Sequence, residues 1–142
     1  MKALTCLIVA CFAFASLAHA QTTYRWIGGD GNWSNQNKWN PVGLPGALDT
    51  AEILVDANYR VTVDLNNVTV ASVRVGYSGS GSTFTQELYM EGKTFSVNDT
   101  VKINIQGKLM LWNSSVLSGT GTIVNQGSFL IKQSIVHNNL VN

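Results

Sequence analysis

Short apolar runs separated by glycine, asparagine and serine dominate the chain from residue 60 onward. Runs of this kind, rich in β-branched and aromatic side chains and bounded by turn formers, predict β-strands. No window combines apolar residues at helical spacing with a capping residue, so the pattern predicts an all-β fold. The predicted strands are VTVDL (61–65), VTVASVRV (68–75), TFTQELYM (83–90), KTFSV (93–97), VKINI (101–105), KLMLW (108–112), GTIV (121–124) and SFLIK (128–132).

Residues 21–60 have a different character, because tryptophan, glycine and asparagine replace the alternating runs. Trp26, Trp33 and Trp39 follow one another at spacings of seven and six residues. These spacings fit neither strand alternation nor one helical stripe. We therefore predict a loop-dominated segment that is held together by aromatic packing and caps the strands that follow.

A repeat is visible in the second half of the chain, where QGKLML (106–111) aligns with QGSFLI (126–131) at an offset of 20 residues. Such a period is typical of a β-solenoid, in which each coil stacks its short strand on the next coil. Gly92 with KTFSV is a third, less regular partner. We expect a right-handed parallel β-helix, or solenoid, over residues 61–142. An antiparallel β-sandwich, with strands about every 8–12 residues, is the alternative.

The first twenty residues predict a secretory signal peptide. Lys2 precedes an apolar run, and Ala18-His-Ala20 precedes Gln21, which is a small-x-small cleavage site. The apolar run is short for a membrane span, which needs about 20 residues. We therefore expect a secreted or extracellular chain with no transmembrane span, beginning at Gln21.

Removal of this peptide also limits the chemistry of the mature chain. Cys6 and Cys11 leave with it, so no disulfide, thiolate nucleophile or cysteine metal site is expected. Lys2 leaves as well, so eight basic residues face eight acidic ones. A net charge of zero argues against a nucleic-acid partner or a polybasic membrane anchor. No metal or cofactor site is predicted.

The carboxyl end carries a strand signal almost to the last residue, in SFLIKQSIVHNNLVN (128–142). No proline, charge cluster or helix follows that could cover it. The terminal coil of a solenoid exposes its apolar interior and unpaired backbone groups unless it is capped. We expect either continuation into a longer solenoid or self-association through this edge.

The segment from Trp26 to Ile53, with WIGGDGNWSN followed by PGALDTAEI, resembles the amino-terminal part of large secreted β-solenoid surface proteins of the adhesin and autotransporter-passenger kind. Leu44 stands where valine is commoner in that pattern. The run VLSGTGTIVNQG (116–127) is similar to the glycine-rich coils of the same proteins. A looser resemblance, carried by Pro45, Asp49 and VTVDL, is to a glycine-named extracellular domain of hyaluronan-handling and receptor-like animal proteins. Both resemblances imply fold and location rather than activity.

The acidic residues predict no catalytic pair. Glu87 and Glu91 are the only two carboxylates close together in a predicted strand, and we interpret them as solvated charges that discourage edge pairing. A glycosidase needs two carboxylates that flank the scissile bond. His137 lies near the end of the chain, which makes a catalytic triad improbable. The sequence therefore predicts a protein that is not an enzyme.

Asp30, Asn32 and Ser34 begin like a calcium-binding loop, with oxygen ligands at alternate positions. The match then fails, because Asn35 replaces the glycine and Pro41 replaces the bidentate glutamate. We predict instead that these side chains accept hydrogen bonds from nearby backbone amides.

Two further sets of side chains are candidate sites. The tryptophans could stack on sugar rings, but so much apolar area favours mutual packing in a cap. Four sequons are candidate glycosylation sites, at Asn32, Asn67, Asn98 and Asn113.

The sequence as a whole predicts a secreted structural or adhesive module of a cell surface or extracellular matrix, with an unidentified protein or glycan partner. The alternative is a carbohydrate-binding module, or the amino-terminal piece of a polysaccharide-active β-helix protein.

Overall fold

The computed structural model describes residues 20–137 and 139–141; all but the last residue of the predicted signal peptide lies outside this range. The described chain consists of short strands and one 3-10 turn, Gln36–Lys38. The strands are β1 (Thr23–Trp26), β2 (Gly31–Asn32), β3 (Trp39–Asn40), β4 (Thr50–Ile53), β5 (Tyr59–Val63), β6 (Val68–Val75), β7 (Gln86–Glu91), β8 (Thr94–Ile103), β9 (Gly107–Trp112), β10 (Val116–Ser118), β11 (Thr122–Asn125), β12 (Ser128–Lys132), β13 (Ile135–Val136) and β14 (Asn139–Val141).

These strands form two sheets. The smaller sheet has the order β12-β9-β7-β5-β2. The larger sheet has the order β13-β10-β8-β6-β4-β1-β3, and β11 and β14 extend it beside β8. Strands make up 52% of the described residues and helices 3%, so the predicted all-β class is confirmed. No helix within the described residues is long and apolar enough to cross a membrane.

The strand pairs are parallel throughout the described chain, with the single exception of β1 and β3. The antiparallel β-sandwich is therefore wrong in its pairing. From β4 to β9, consecutive strands alternate between the two sheets, so a strand pairs with the next-but-one strand, which runs in the same direction. Short turns between strands thus switch sheets here, whereas in a sandwich many of them reverse the chain within one sheet.

The predicted repeat is confirmed by the pairing of β12 with β9, which aligns Lys108 with Ser128 and Leu109 with Phe129. Its glycines have a steric cause. A Cβ atom on Gly107 would overlap the Val75 carbonyl, and one on Gly127 would overlap the carbonyl oxygens of Asn104 and Gly107. The third proposed partner is wrong, because β7 and not KTFSV pairs with β9.

The segment 21–60 contributes more strands than its sequence predicts. β1 and β4 pair in the larger sheet, and β2 pairs with β5 in the smaller one. The turn before β4 is fixed by Asp49, a buried side chain that accepts hydrogen bonds from the Gly46 amide (2.8 Å) and the Thr22 amide (3.0 Å). The segment therefore combines aromatic packing with strands of the larger sheet, since β4 pairs with β1 on one side and with β6 on the other.

The core lies between the two sheets and consists of inward-facing side chains stacked in columns. In a parallel, in-register pair each side chain lies directly beside its partner, so the same type of residue recurs at every level. The longest apolar columns are Val61–Leu88–Leu109–Phe129, Val63–Met90–Leu111–Ile131, Ala51–Val73–Val101–Ile123 and Val68–Phe95–Leu117–Val136.

Candidate functional site

The tryptophan end, defined by Trp26, Trp33 and Trp39, lies beside the short edge strands β2 and β3. Each of the three indoles is only 1% exposed. Trp39 packs edge to face against Trp26 and Trp33, at centroid distances of 5.0 and 4.8 Å. The predicted mutual packing is therefore confirmed, and these rings leave no face on which a sugar could stack.

Two of the three indole nitrogens of this cluster donate hydrogen bonds to backbone carbonyls. Trp26 Nε1 donates to the Gly29 carbonyl at 2.9 Å, and Trp39 Nε1 donates to the Trp33 carbonyl at 3.0 Å. A buried donor without a partner would cost free energy, so these bonds allow the rings to close the interior. Trp33 reaches further in and contacts Phe95 edge to face at 5.1 Å.

The opposite end of the stack, which we name the open end, is formed by β12 and β13. Ile131 continues the inward column of Leu111, yet Ile131 is 50% exposed and Leu111 is 0% exposed. Ile135 in β13 is 53% exposed. Ile131, at a core position of the ladder, is therefore accessible to solvent, whereas Ile135 faces outward, in register with Val116 and next to the inward-facing Val136.

The outward side of the smaller sheet, named the outer face here, carries aligned side chains at three levels. Because register is kept from strand to strand, each level forms a ladder across the sheet. The ladders are Arg60–Glu87–Lys108–Ser128, Asn32–Thr62–Tyr89–Met110–Leu130 and Glu91–Trp112–Lys132.

Glu87 lies at the centre of the first ladder, between two cations. Its Oε2 atom is 2.7 Å from Arg60 Nη2 and its Oε1 atom is 2.8 Å from Lys108 Nζ. Burial raises the pKa of Glu87, but hydrogen bonds and charges from Lys108 and Arg60 outweigh this effect and hold the pKa below its usual value. The prediction of a solvated edge charge is therefore wrong, since β7 is the middle strand of its sheet.

Tyr89 and Trp112 form an aromatic pair on the outer face, with centroids 6.4 Å apart and ring planes at 45°. Both side chains are half-buried. The Arg60 guanidinium lies 4.9 Å from the Tyr89 ring centroid and Lys132 Nζ lies 5.8 Å from that of Trp112. Sequence reasoning missed this pair because the residues are far apart in the chain; the strand register would have placed them together.

Glu91 completes the polar rim of this pair. It accepts hydrogen bonds from the Tyr89 hydroxyl at 2.6 Å and from Asn113 Nδ2 at 2.5 Å. These bonds hold the pKa of Glu91 below its usual value, and the bond to Glu91 raises the pKa of Tyr89. A general acid needs a raised carboxyl pKa, whereas the pKa values of Glu87 and Glu91 are both lowered.

A groove of about 820 Å³ lies along the Arg60–Glu87–Lys108 ladder and reaches Thr62, the cross-strand neighbour of Tyr89. It is lined by polar side chains, including Asp30, Asn32, Thr62 and Thr85. Asp30 Oδ1 accepts a hydrogen bond from the Arg60 amide at 2.8 Å, which joins the loop before β2 to β5.

The calcium-like loop does not assemble an ion site. No cluster of three or more acidic, histidine or cysteine side chains occurs in the described part of the chain. The expected local turn is also wrong, since Asp30 bonds to the Arg60 amide and Ser34 bonds through its amide and hydroxyl to Asp64, at 3.0 and 2.5 Å. Both side chains therefore bridge to the neighbouring strand rather than to their own turn.

The structure leaves all four sequon asparagines exposed. Asn67 and Asn113 adopt positive φ angles of 58° and 43° in turns. Asn98 lies within β8, where its carbonyl accepts a hydrogen bond from Thr120 Oγ1, and Asn32 lies on the outer face in β2. Glycosylation at these sites stays a prediction.

Comparisons with family models, with curated proteins and with solved structures find no match to this chain.

Proposed function

We propose that the protein is a secreted, non-catalytic module with a structural or adhesive role, built as a right-handed parallel β-solenoid. The alternation of strands between two sheets supports the solenoid. On the smaller sheet, Arg60 pairs with Glu87, Glu87 with Lys108 and Lys108 with Ser128, so the chain returns to the same ladder after 27, 21 and 20 residues. Localisation outside the cell rests on the predicted signal peptide.

The observation that carries the structural role is the difference between the two ends of the stack. At the open end, Ile131 at a core position and Ile135 on the outward side of β13 are each about half exposed, and within the described residues β12 is an edge strand that pairs only with β9. A strand edge of this kind is a template for pairing with another chain. These features support self-association through the open end.

The occupant that fits best is a second copy of this chain in a tail-to-tail arrangement. At the tryptophan end the indoles are buried and the edge strands β2 and β3 have two residues each, so this end offers little strand edge for head-to-tail pairing. Two open ends related by a two-fold axis present the same patch to each other. Lys132 is the single charged residue of β12, so the mutual repulsion of two such edges is small.

The test is the mass of the mature chain, residues 21–142, measured by light scattering at tens of micromolar. We expect a mass that rises with concentration, and a monomer when Ile131→Lys and Ile135→Lys are combined. Ile27→Lys is the matched control, because Ile27 is an exposed isoleucine near the tryptophan end. A concentration-independent monomer of the unmodified chain would overturn self-association.

A carbohydrate-binding module is the second candidate function, and a specific observation favours it. The aromatic pair of the outer face, Tyr89 and Trp112, is half-buried and so keeps accessible ring surface that the buried tryptophan end does not. The adhesin-like resemblance of the segment 26–53 agrees with either role.

A further inference from the structure

We propose that the outer face of the smaller sheet is a binding site for a neutral glycan, with Tyr89 and Trp112 as its stacking platform. This site is separate from the open end, and it gives a ligand class and residues to the second candidate function, on which it rests.

The first argument is the position of the two rings. Tyr89 on β7 and Trp112 on β9 are diagonal neighbours, since Tyr89 is in register with Met110 and Glu91 with Trp112. Diagonal pairs on adjacent strands lie within reach of large aromatic side chains. The sheet below is rigidly paired on both sides at these strands, so the platform is preformed and its ordering cost on binding is small.

The second argument is the chemistry around the rings. Aromatic residues with a polar handle suit ligands that present an apolar face and a hydrogen-bonding rim, as a pyranose ring does. Glu91 and Asn113 lie beside the platform and supply a carboxylate acceptor and an amide. The adjoining groove adds hydroxyl and amide groups from Asn32, Thr62 and Thr85, so the site suits an oligosaccharide longer than one residue.

The third argument concerns charge. Arg60 and Lys108 are both bonded to Glu87, which leaves no row of free cations for a polyanion. Acidic and basic side chains alternate over the face, so their fields cancel at the distance of a ligand. Nucleic acids and sulfated glycans depend on unpaired cationic contacts for affinity, and a neutral chain does not.

The experiment is isothermal calorimetry on the mature chain with cellohexaose and chitohexaose as neutral probes. A heparin hexasaccharide and a thymidine oligonucleotide serve as charged probes. We expect saturable binding of at least one neutral probe and no binding of the charged probes. In Trp112→Ala and in Tyr89→Leu we expect the affinity for that neutral probe to fall by at least about tenfold. Phe84→Ala is the control, since Phe84 is an exposed aromatic residue outside this platform.

Each outcome decides the proposal. Absence of binding by both neutral hexaoses overturns it, and so does preferential binding of either charged probe. Neutral binding that survives in both ring variants overturns the assigned location. Thermal melting of each variant verifies folding, and repeating the titration in the Ile131→Lys background separates glycan binding from self-association.

Discussion

The tryptophan end and the open end terminate the same stack in opposite ways. Three indoles, each 1% exposed, close the interior at one end, whereas Ile131, at a core position of the other end, is 50% exposed. The edges differ as well, since β2 has two residues and β12 has five. The comparison teaches that a position in the ladder does not bury a side chain unless another layer covers it.

Polar contacts follow the same division. Near the tryptophan end, Asp49, Asp64 and Asp30 each accept hydrogen bonds from a neighbouring segment. No acidic residue occurs beyond Asp99 in the sequence. Carboxylates that accept hydrogen bonds from backbone amides therefore support the capped half, whereas the side-chain hydrogen bonds of the open half come from uncharged residues such as Ser115 and Thr120.

The largest expected effect follows loss of an indole from the cap. Trp33→Ala removes a fully buried ring that contacts both Trp39 and Phe95. Such a deletion costs about 3–5 kcal/mol of unfolding free energy, which is much of the ~5–15 kcal/mol available to a small domain. Urea denaturation measures it. Trp112→Ala, the same deletion on the outer face, is the control and should cost clearly less; equal losses would contradict the cap.

A pair of substitutions in one column sharpens the comparison further. Leu111 and Ile131 are in-register neighbours, and only Ile131 is exposed. Leu111→Ala should cost about 2–5 kcal/mol, whereas Ile131→Ala should cost under about 1.5 kcal/mol because half of its surface is already wet. Urea denaturation at low micromolar concentration compares the two. A cost at Ile131 as large as that at Leu111 would mean that the open end is covered in solution.

Strands with clear apolar runs were predictable from the sequence. VTVASVRV and SFLIK coincide with β6 and β12, and the 20-residue offset follows from glycine positions that the stacking requires. KTFSV and VKINI were wrongly separated, because the polar pair Asn98-Asp99 reads as a turn although the strand β8 continues through it.

Other features depend on register, which a single sequence does not display. TAEI alternates polar and apolar residues over only four positions, which is too short to mark a strand, although every residue of β4 is buried. The ion-pair ladder around Glu87 and the aromatic pair of Tyr89 and Trp112 join residues that lie on neighbouring strands but are more than 20 residues apart in the chain. The tryptophan cap was predictable because its three rings are close in the chain and too large to leave wet.

Removal of Asp49 should loosen the capped half by an intermediate amount. Asp49→Ala leaves the part-buried amides of Thr22 and Gly46 without their carboxylate partner. Hydrogen bonds to a charged group contribute about 1.5–3 kcal/mol, and we expect a loss in that range by urea denaturation. Asp56→Ala, at an exposed carboxylate bonded to Ser82, is the matched control. A loss no greater than that of the control would contradict the anchoring role of Asp49.

The smallest expected effect is the pH dependence contributed by Glu87. Its folded pKa is lowered from 4.5 because ion pairing with Lys108 and Arg60 outweighs the effect of burial. A lowered folded pKa stabilises the fold above the unfolded value, and this stabilisation is lost as the pH falls through the folded pKa. Unfolding free energy should therefore decrease below about pH 4.5. Glu87→Gln should flatten this decrease, as measured by urea denaturation between pH 6 and pH 2.5. Ile131→Ala is the control: it changes no ionisable group, so it should lower the unfolding free energy equally at every pH. If the pH dependence of the unfolding free energy is unchanged in Glu87→Gln, the ladder contributes nothing to acid sensitivity.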